Sequence, residues 1–90
     1  MIDRRDFLLL RTSGRDRAVE LSCERLLMKF VDSTIDASTS QLFARLEDEL
    51  SGVRKLRLVD AAWLTREDFR NELDRVIDRF RRRGGLITVE

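Results

Sequence analysis

The sequence contains no histidine, no proline and no tyrosine, and it has a single cysteine. Without histidine, the chain lacks an imidazole general base, the usual catalytic triads and the commonest ligand of catalytic zinc. One cysteine, Cys23, permits no intramolecular disulfide, which is typical of proteins in a reducing cytoplasm. No apolar run approaches the roughly 20 residues that span a membrane. We therefore expect a cytoplasmic protein that uses no metal ion and no cofactor and does not insert into a membrane.

The charged residues balance one another almost completely, with 18 Lys and Arg against 17 Asp and Glu. A net charge of +1 does not favour a general nucleic-acid clamp. Sixteen of the basic residues are arginine, which permits bidentate anion binding but also fits a plain compositional bias. The length and a hydrophobic fraction of 42% predict a single small domain, residues 1–90, with a thin core.

The most regular pattern predicts a strand over residues 53–59, a helix opening at Thr65 and a second strand over residues 86–89. Thr65 is the expected N-cap, with Asp68 at the third helical position. Gly84 can take the left-handed conformation that ends such a helix. The apolar stripe of this helix consists of Phe69, Leu73, Val76, Ile77 and Phe80.

The first half of the chain predicts three strands and one helix. Residues 7–12 form a strand that is apolar on both faces, and residues 18–23 alternate as a half-buried strand, so together they predict a hairpin. We interpret residues 26–31 as a third strand, with a short helix as the open alternative. Ser38 and Gln41 form a capping box that predicts the start of a helix.

The segment Arg4-Arg5-Asp6-Phe7-Leu8 matches the core of a twin-arginine export signal. A signal peptide also needs an apolar segment of about 7–15 residues and a small-residue cleavage site. Here the apolar run ends at Leu10, and polar and charged residues follow at once. We therefore favour a first strand over an export signal.

The elements follow the order βββαβαβ, which predicts an α/β fold with a mixed sheet. A first strand that is apolar on both faces belongs in the middle of a sheet, and parallel crossovers are almost always right-handed. We therefore expect a five-stranded sheet in the order 3-2-1-4-5 with two helices. Leu56 and Leu58 alternate with Lys55 and Arg57, so we expect both helices on one face, in two layers.

The uncovered face of this sheet is the first candidate site. The first strand would expose either Phe7 and Leu9 or Leu8 and Leu10 there, inside a rim of charged residues. Such a stripe is typical of a protein interface. The candidate interface residues are Phe7, Leu9, Glu20, Lys55 and Arg57. We expect a protein partner or a homodimer at this face, and we favour the homodimer because two-fold pairing is the commonest assembly.

The carboxyl ends of the strands are the second candidate site, because open α/β sheets bind ligands there. The candidate ligand-binding residues are Asp60, Trp63, Thr12 and Ser13. We favour the alternative in which Asp60 shapes a turn and Trp63 packs on the core. We likewise interpret Cys23 as a small buried hydrophobe and not as a reactive thiol.

A dense basic run at the end of the second helix is the third candidate site, because arginine forks match phosphate oxygens. The candidate anion-binding residues are Arg79, Arg81, Arg82 and Arg83. We favour the alternative in which these residues offset the helix dipole and Arg82 pairs with Asp78 one turn before it.

These observations favour a non-catalytic domain that acts by binding another protein or itself. The alternative function is anion or nucleic-acid binding, through Arg54, Lys55, Arg57 and residues 79–83. An enzyme built on Asp60 is the least favoured hypothesis, because a lone carboxylate accompanies no recognisable catalytic motif.

Overall fold

The computed structural model of the chain describes residues 7–11 and 17–90. Its strands are β1 (Leu8–Arg11), β2 (Ala18–Ser22), β3 (Lys55–Val59) and β4 (Leu86–Val89). Its helices are α1 (Cys23–Ile35), α2 (Thr39–Glu49) and α3 (Glu67–Arg82), and a 3₁₀ turn, Ala61–Trp63, follows β3. The strands form one sheet in the order β1-β2-β3-β4, in which β2, β3 and β4 are parallel and β1 is antiparallel to β2. The described chain is therefore a mixed α/β fold.

The prediction of a five-stranded sheet with two helices is wrong, because residues 26–31 belong to helix α1. Ser22 ends β2 and is also the N-cap of α1, where its hydroxyl accepts the Arg25 amide at 3.2 Å. The side chains that α1 buries are Cys23, Leu26, Leu27, Phe30 and Ser33. Met28 lies on the opposite side of the helix, with 61% of its surface exposed. A helical spacing, and not a strand alternation, thus decides which residues of this run enter the core.

The predicted strand order is also wrong, since the first strand lies at an edge of the sheet and not in its middle. β2 pairs directly with β3, beginning with Ala18 opposite Lys55. Among the described strands β1 pairs with β2 alone, and its register shifts between Leu8 and Leu10. Because α1 and α2 carry the chain from β2 to β3, these two strands become parallel neighbours joined by a helical crossover.

The described helices all pack on one face of the sheet. In β3, Leu56 and Leu58 are buried beneath them, whereas Lys55 and Arg57 point to the other side and are exposed. Two successive crossovers of the same hand, advancing from β2 to β3 to β4, place their helices on the same side. The sheet residues of the core are Leu8, Val19, Leu21, Leu56 and Leu58.

The helical side of the core is centred on three phenylalanines, one from each helix. The ring centroids of Phe30 and Phe43 lie 6.0 Å apart, and Phe69 lies 5.3 Å from Phe30 and 6.5 Å from Phe43. Edge-on and tilted arrangements of this kind add to the stabilisation from buried area. The predicted stripe of α3 is confirmed, since all its members are buried: Phe69, Leu73, Val76, Ile77 and Phe80.

Helix α3 begins one residue later than the sequence predicts, so Thr65 is not its N-cap. Arg66 occupies the N-cap position, and in the described chain its side chain caps no helical amide. The Asp68 carboxylate accepts the amide of Phe69 at 2.8 Å and lies 2.9 Å from the Arg66 guanidinium. The hydrogen bond from Arg66 lowers the pKa of Asp68. Asp68 therefore supports the helix start without a capping box.

Helix α2 begins next to Ser38 as the sequence predicts, but without the predicted capping box. Within the described residues, the Ser38 side chain accepts no helical amide. Its hydroxyl and its own amide both donate to the Asp36 carboxylate, the amide at 3.1 Å. The polar segment ahead of α2 is therefore a tight turn closed by Asp36.

Candidate functional site

The face of the sheet opposite the helices is the leading candidate site. We call it the open face and define it by the outward residues of β2, β3 and β4: Ala18, Glu20, Lys55, Arg57, Leu86 and Thr88. The register places them in two rows, Ala18, Lys55 and Leu86 in one and Glu20, Arg57 and Thr88 in the next. Residues in register on neighbouring strands share a face of the sheet, so these side chains form one continuous surface.

A depression of about 460 Å³ occupies the open face. Its wall is largely aliphatic, because Ala18 and Leu86 flank the stem of Lys55 in the first row. Leu86 has 63% of its surface exposed and adds apolar area to this wall. Exposed apolar area within a charged rim is the composition of many protein-binding surfaces.

Arg57 joins two carboxylates on this face. Its guanidinium lies 3.1 Å from the Glu20 carboxylate on β2 and also donates to the Glu90 carboxylate beyond β4. The hydrogen bond to Glu90 and then the charges of Glu90 and Glu20 raise the pKa of Arg57, so it stays cationic. The three side chains therefore form one ion-paired network across β2, β3 and the residue after β4.

The predicted interface residues divide between the two sides of the sheet. Glu20, Lys55 and Arg57 lie together on the open face. Phe7 is fully buried, and the Arg45 guanidinium of α2 lies over the Phe7 ring, 5.3 Å from the ring centroid. The Phe7 ring is therefore not part of the open face. Leu9 belongs to β1, and the placement of its side chain is outside the described structure.

Ala18, Leu86 and Thr88 also lie on the open face but are not among the interface residues predicted from the sequence. The alternation of Leu86 and Thr88 with Ile87 and Val89 was a usable signal. It has little contrast, however, because all four residues are small or apolar, so the pattern does not say which pair faces outward.

Asp60 lies at the carboxyl end of β3, as predicted, and its backbone is left-handed with φ of 60° and ψ of 41°. It opens the 3₁₀ turn, whose first amide, that of Ala61, donates to the Glu90 carbonyl at 3.1 Å. Trp63 closes the turn with 48% of its surface exposed. Thr12 and Ser13, the other two candidates for this end of the sheet, lie outside the described residues.

Cys23 is the first residue of α1 and is fully buried, in agreement with its interpretation as a small hydrophobe. Burial, and secondarily the negative charge of Asp60, raises the pKa of the Cys23 thiol to about 11. The thiol is therefore protonated at neutral pH, whereas nucleophilic cysteines need a low pKa and solvent access.

The arginines at the end of α3 already make contacts within the protein. Arg79 is paired with Glu47 of α2, and Arg82 lies 3.0 Å from Asp78, the pairing that the sequence predicts. Arg83 donates to the Leu50 carbonyl at 3.0 Å and lies over the Phe80 ring. Arg81 is exposed, and no ion pair of Arg81 occurs among the described residues. Most of these arginines therefore make contacts between α3 and the end of α2, or within α3.

Within residues 7–11 and 17–90, no three Asp, Glu or Cys side chains come together as metal ligands would. In the same residues, none of the helices is both long enough and apolar enough to cross a bilayer.

The fold and its open face together define a small mixed α/β domain with a sheet exposed on one side. No family model, curated protein or solved structure matches this chain.

Proposed function

We propose that this chain is a small non-catalytic cytoplasmic domain that binds another protein chain through its open face. The observation that supports the proposal is the one-sided packing of the sheet. Helices α1, α2 and α3 bury the Leu56 side of β3, and the Lys55 side presents an exposed, partly apolar surface. The lone buried Cys23 supports the cytoplasmic location, since nothing in the sequence calls for an oxidising compartment.

The chemistry of the open face favours a protein over a small molecule. The depression lies on the exposed face of the sheet and is not an enclosed cavity, whereas small-molecule sites bury most of the ligand surface. Its aliphatic wall lies beside the ion-paired side chains of Glu20, Arg57 and Glu90. An apolar centre with charges at its rim supplies burial for affinity and charge pairing for specificity.

The size of the open face limits the expected affinity. With strands about 4.8 Å apart and a rise of about 3.3 Å per residue, the three strands that define this face present roughly 200 Å². Stable complexes typically bury about 800 Å² on each partner. We therefore expect a transient complex with a dissociation constant in the micromolar range or above, unless the surface is extended.

The only two lysines in the sequence supply a matched test, because Lys55 lies on the open face and Lys29 lies on helix α1. Immobilised wild-type protein, Lys55→Glu and Lys29→Glu are exposed to lysate of the native host, and retained proteins are quantified by mass spectrometry. We expect one partner to be retained by the wild type and by Lys29→Glu, and to be lost with Lys55→Glu. Equal retention by all three proteins would contradict the proposal.

Anion or nucleic-acid binding is the less favoured function, because Arg79, Arg82 and Arg83 already have partners within the protein. Retention on a heparin column tests it directly. An anion-binding protein is retained at low salt and released steeply as salt rises. We expect this chain to elute at low salt, and an Arg81→Ala, Arg82→Ala double variant to elute at the same position.

A further inference from the structure

The two edges of the sheet differ in how well they resist pairing with another strand. At the β1 edge, the register with β2 shifts between Leu8 and Leu10. Irregularities of this kind commonly prevent a further strand from pairing at the edge of a sheet. The β4 edge is regular, with four residues in unbroken register with β3, from Leu86 opposite Lys55 to Val89 opposite Leu58.

Strand β4 also lacks the residues that usually protect an edge. Leu86, Ile87, Thr88 and Val89 include no charge and no proline, and three of them are β-branched. Leu86 and Val89 have 63% and 59% of their surfaces exposed, and they lie on opposite faces of the sheet. Among the described strands, β4 has a neighbour on one side only.

The hydrogen bonds of β4 show which groups point away from β3. The amides of Leu86 and Glu90 donate to the carbonyls of Arg54 and Leu58, at 2.9 and 2.8 Å. In a parallel pair, alternate residues direct their N–H and C=O groups to the same neighbour. The main-chain N–H and C=O groups of Ile87 and Val89 therefore point away from β3, in symmetrical positions on either side of Thr88.

We propose that β4 pairs antiparallel with β4 of a second copy of this chain, around a two-fold axis at Thr88. In this register, Ile87 of each copy lies opposite Val89 of the other, and each such pair exchanges both of its main-chain hydrogen bonds. All the outward groups of both edges are satisfied at once, which is the property of an isologous contact. Thr88 then lies opposite Thr88 of the second copy, a favourable cross-strand pair.

The composition of β4 is compatible with a second copy as the occupant of this edge. The antiparallel register places no like charges opposite each other, because Leu86, Ile87, Thr88 and Val89 are uncharged and Glu90 of each copy lies opposite Leu86 of the other. The Glu90 carboxylate stays paired with Arg57 on the open face, so the main-chain groups supply the pairing.

The pairing extends the open face without covering it. Leu86 and Thr88 line the depression at the β4 side, so the two depressions adjoin across the axis in one continuous sheet. The inference concerns a different contact from the protein-binding site proposed above, and either can be wrong without the other.

Disulfide trapping tests the register. Residues opposite each other in a non-hydrogen-bonded antiparallel pair have Cα atoms about 4.5 Å apart, within the roughly 4.4–6.8 Å range of disulfides. The native Cys23 is buried and does not interfere. Under mild oxidation we expect Thr88→Cys to form a covalent dimer and the control Lys55→Cys, on the open face, to remain monomeric. If Lys55→Cys cross-links and Thr88→Cys does not, the copies pair face to face and the inference is wrong.

A second pair of variants tests the main-chain bonds by sedimentation velocity from about 1 to 100 µM. Val89→Pro removes an outward N–H without touching the bonds to β3, whereas Val89→Ala keeps that N–H. We expect wild type and Val89→Ala to dimerise and Val89→Pro to stay monomeric, with thermal melts showing that all three are folded. A monomeric wild type at the highest concentration, or an undiminished Val89→Pro dimer, would overturn the inference. The capture experiment with Lys55→Glu would be unaffected by either result.

Discussion

The Arg57 guanidinium lies 3.1 Å from the Glu20 carboxylate, across β3 and β2 and on the side of the sheet away from the helices. Its neighbour Leu56 points the other way and is 1% exposed. Two consecutive residues of β3 thus separate the two roles of the sheet, since Leu56 holds the helices and Arg57 orders the open face.

Substitutions at these two positions should have very different effects on stability. We expect Leu56→Ala to lower the free energy of unfolding by about 2–5 kcal/mol, because it leaves a cavity under the helices. Arg57→Ala should change it little, because solvent-exposed ion pairs contribute little. Urea titrations followed by circular dichroism measure both. Equal losses in the two variants would mean that the open face is packed against something in the folded chain.

The start of helix α1 can be tested at Ser22, whose hydroxyl accepts the Arg25 amide at 3.2 Å. We expect Ser22→Ala to cost about 1 kcal/mol, the usual loss for an N-cap. Thr65→Ala should cost less, because Thr65 lies outside α3 and is exposed. A larger loss in Thr65→Ala than in Ser22→Ala would indicate that α3 begins earlier and that α1 is not capped as described.

The turn between α3 and β4 depends on Gly85, where a Cβ atom would overlap the buried Phe80 ring. We expect Gly85→Ala to destabilise the protein by about 1–3 kcal/mol through overpacking. Adding Phe80→Leu should recover part of this loss, so the double-mutant cycle shows coupling.

Gly84→Ala is the matched control for this cycle. A Cβ atom there meets open space, although the φ of +88° is strained for any residue with a side chain. We expect Gly84→Ala to destabilise the protein without coupling to Phe80→Leu. Similar coupling at both glycines would show that the loss at Gly85 is not a clash with Phe80.

The Cys23 thiol should be unreactive in the folded protein. Its pKa is raised to about 11 from an ordinary value of 9.0, chiefly by burial. The thiolate is thus disfavoured in the folded state, so the stability contribution of this group is complete below pH 9.0 and is lost as pH rises towards about 11.

Alkylation by iodoacetamide at pH 8 is the corresponding measurement. We expect the folded protein to react far more slowly than the urea-unfolded protein, and its free energy of unfolding to fall between pH 9 and 11. The same alkylation rate in folded and unfolded protein would mean that Cys23 is solvent-accessible.

Helix α3 and the strands beside it could be predicted from the sequence because their patterns have strong contrast. Phe69 and Phe80 stand among charged residues at helical spacings, and Gly84 follows with the φ of +88° expected of a helix stop. Lys55 and Arg57 likewise alternate with leucines, so the outward side of β3 could be recognised directly.

Residues 26–31 could not be assigned in this way. Leu26, Met28 and Phe30 are spaced two residues apart, which fits one face of a strand. Leu26 and Phe30 are also four residues apart, which fits one face of a helix. Packing in the folded chain decides between the two, because Leu26, Leu27 and Phe30 are buried together on one side of a helix whose start is capped by the Ser22 hydroxyl. The wrong strand order followed from the first strand, whose apolar residues on both faces predicted a central position, whereas β1 lies at an edge of the sheet.

The measurement that tests the central claim most directly is the reactivity of the two lysines towards an acylating reagent, with and without the captured partner. Lys55 lies on the open face and Lys29 on the helical side, so each reports on one side of the sheet. Mass spectrometry of the labelled peptides gives both rates from one sample. We predict that the partner slows the labelling of Lys55 several-fold and leaves Lys29 unchanged. Protection of Lys29 with Lys55 unaffected would place the binding site on the helices and contradict the account.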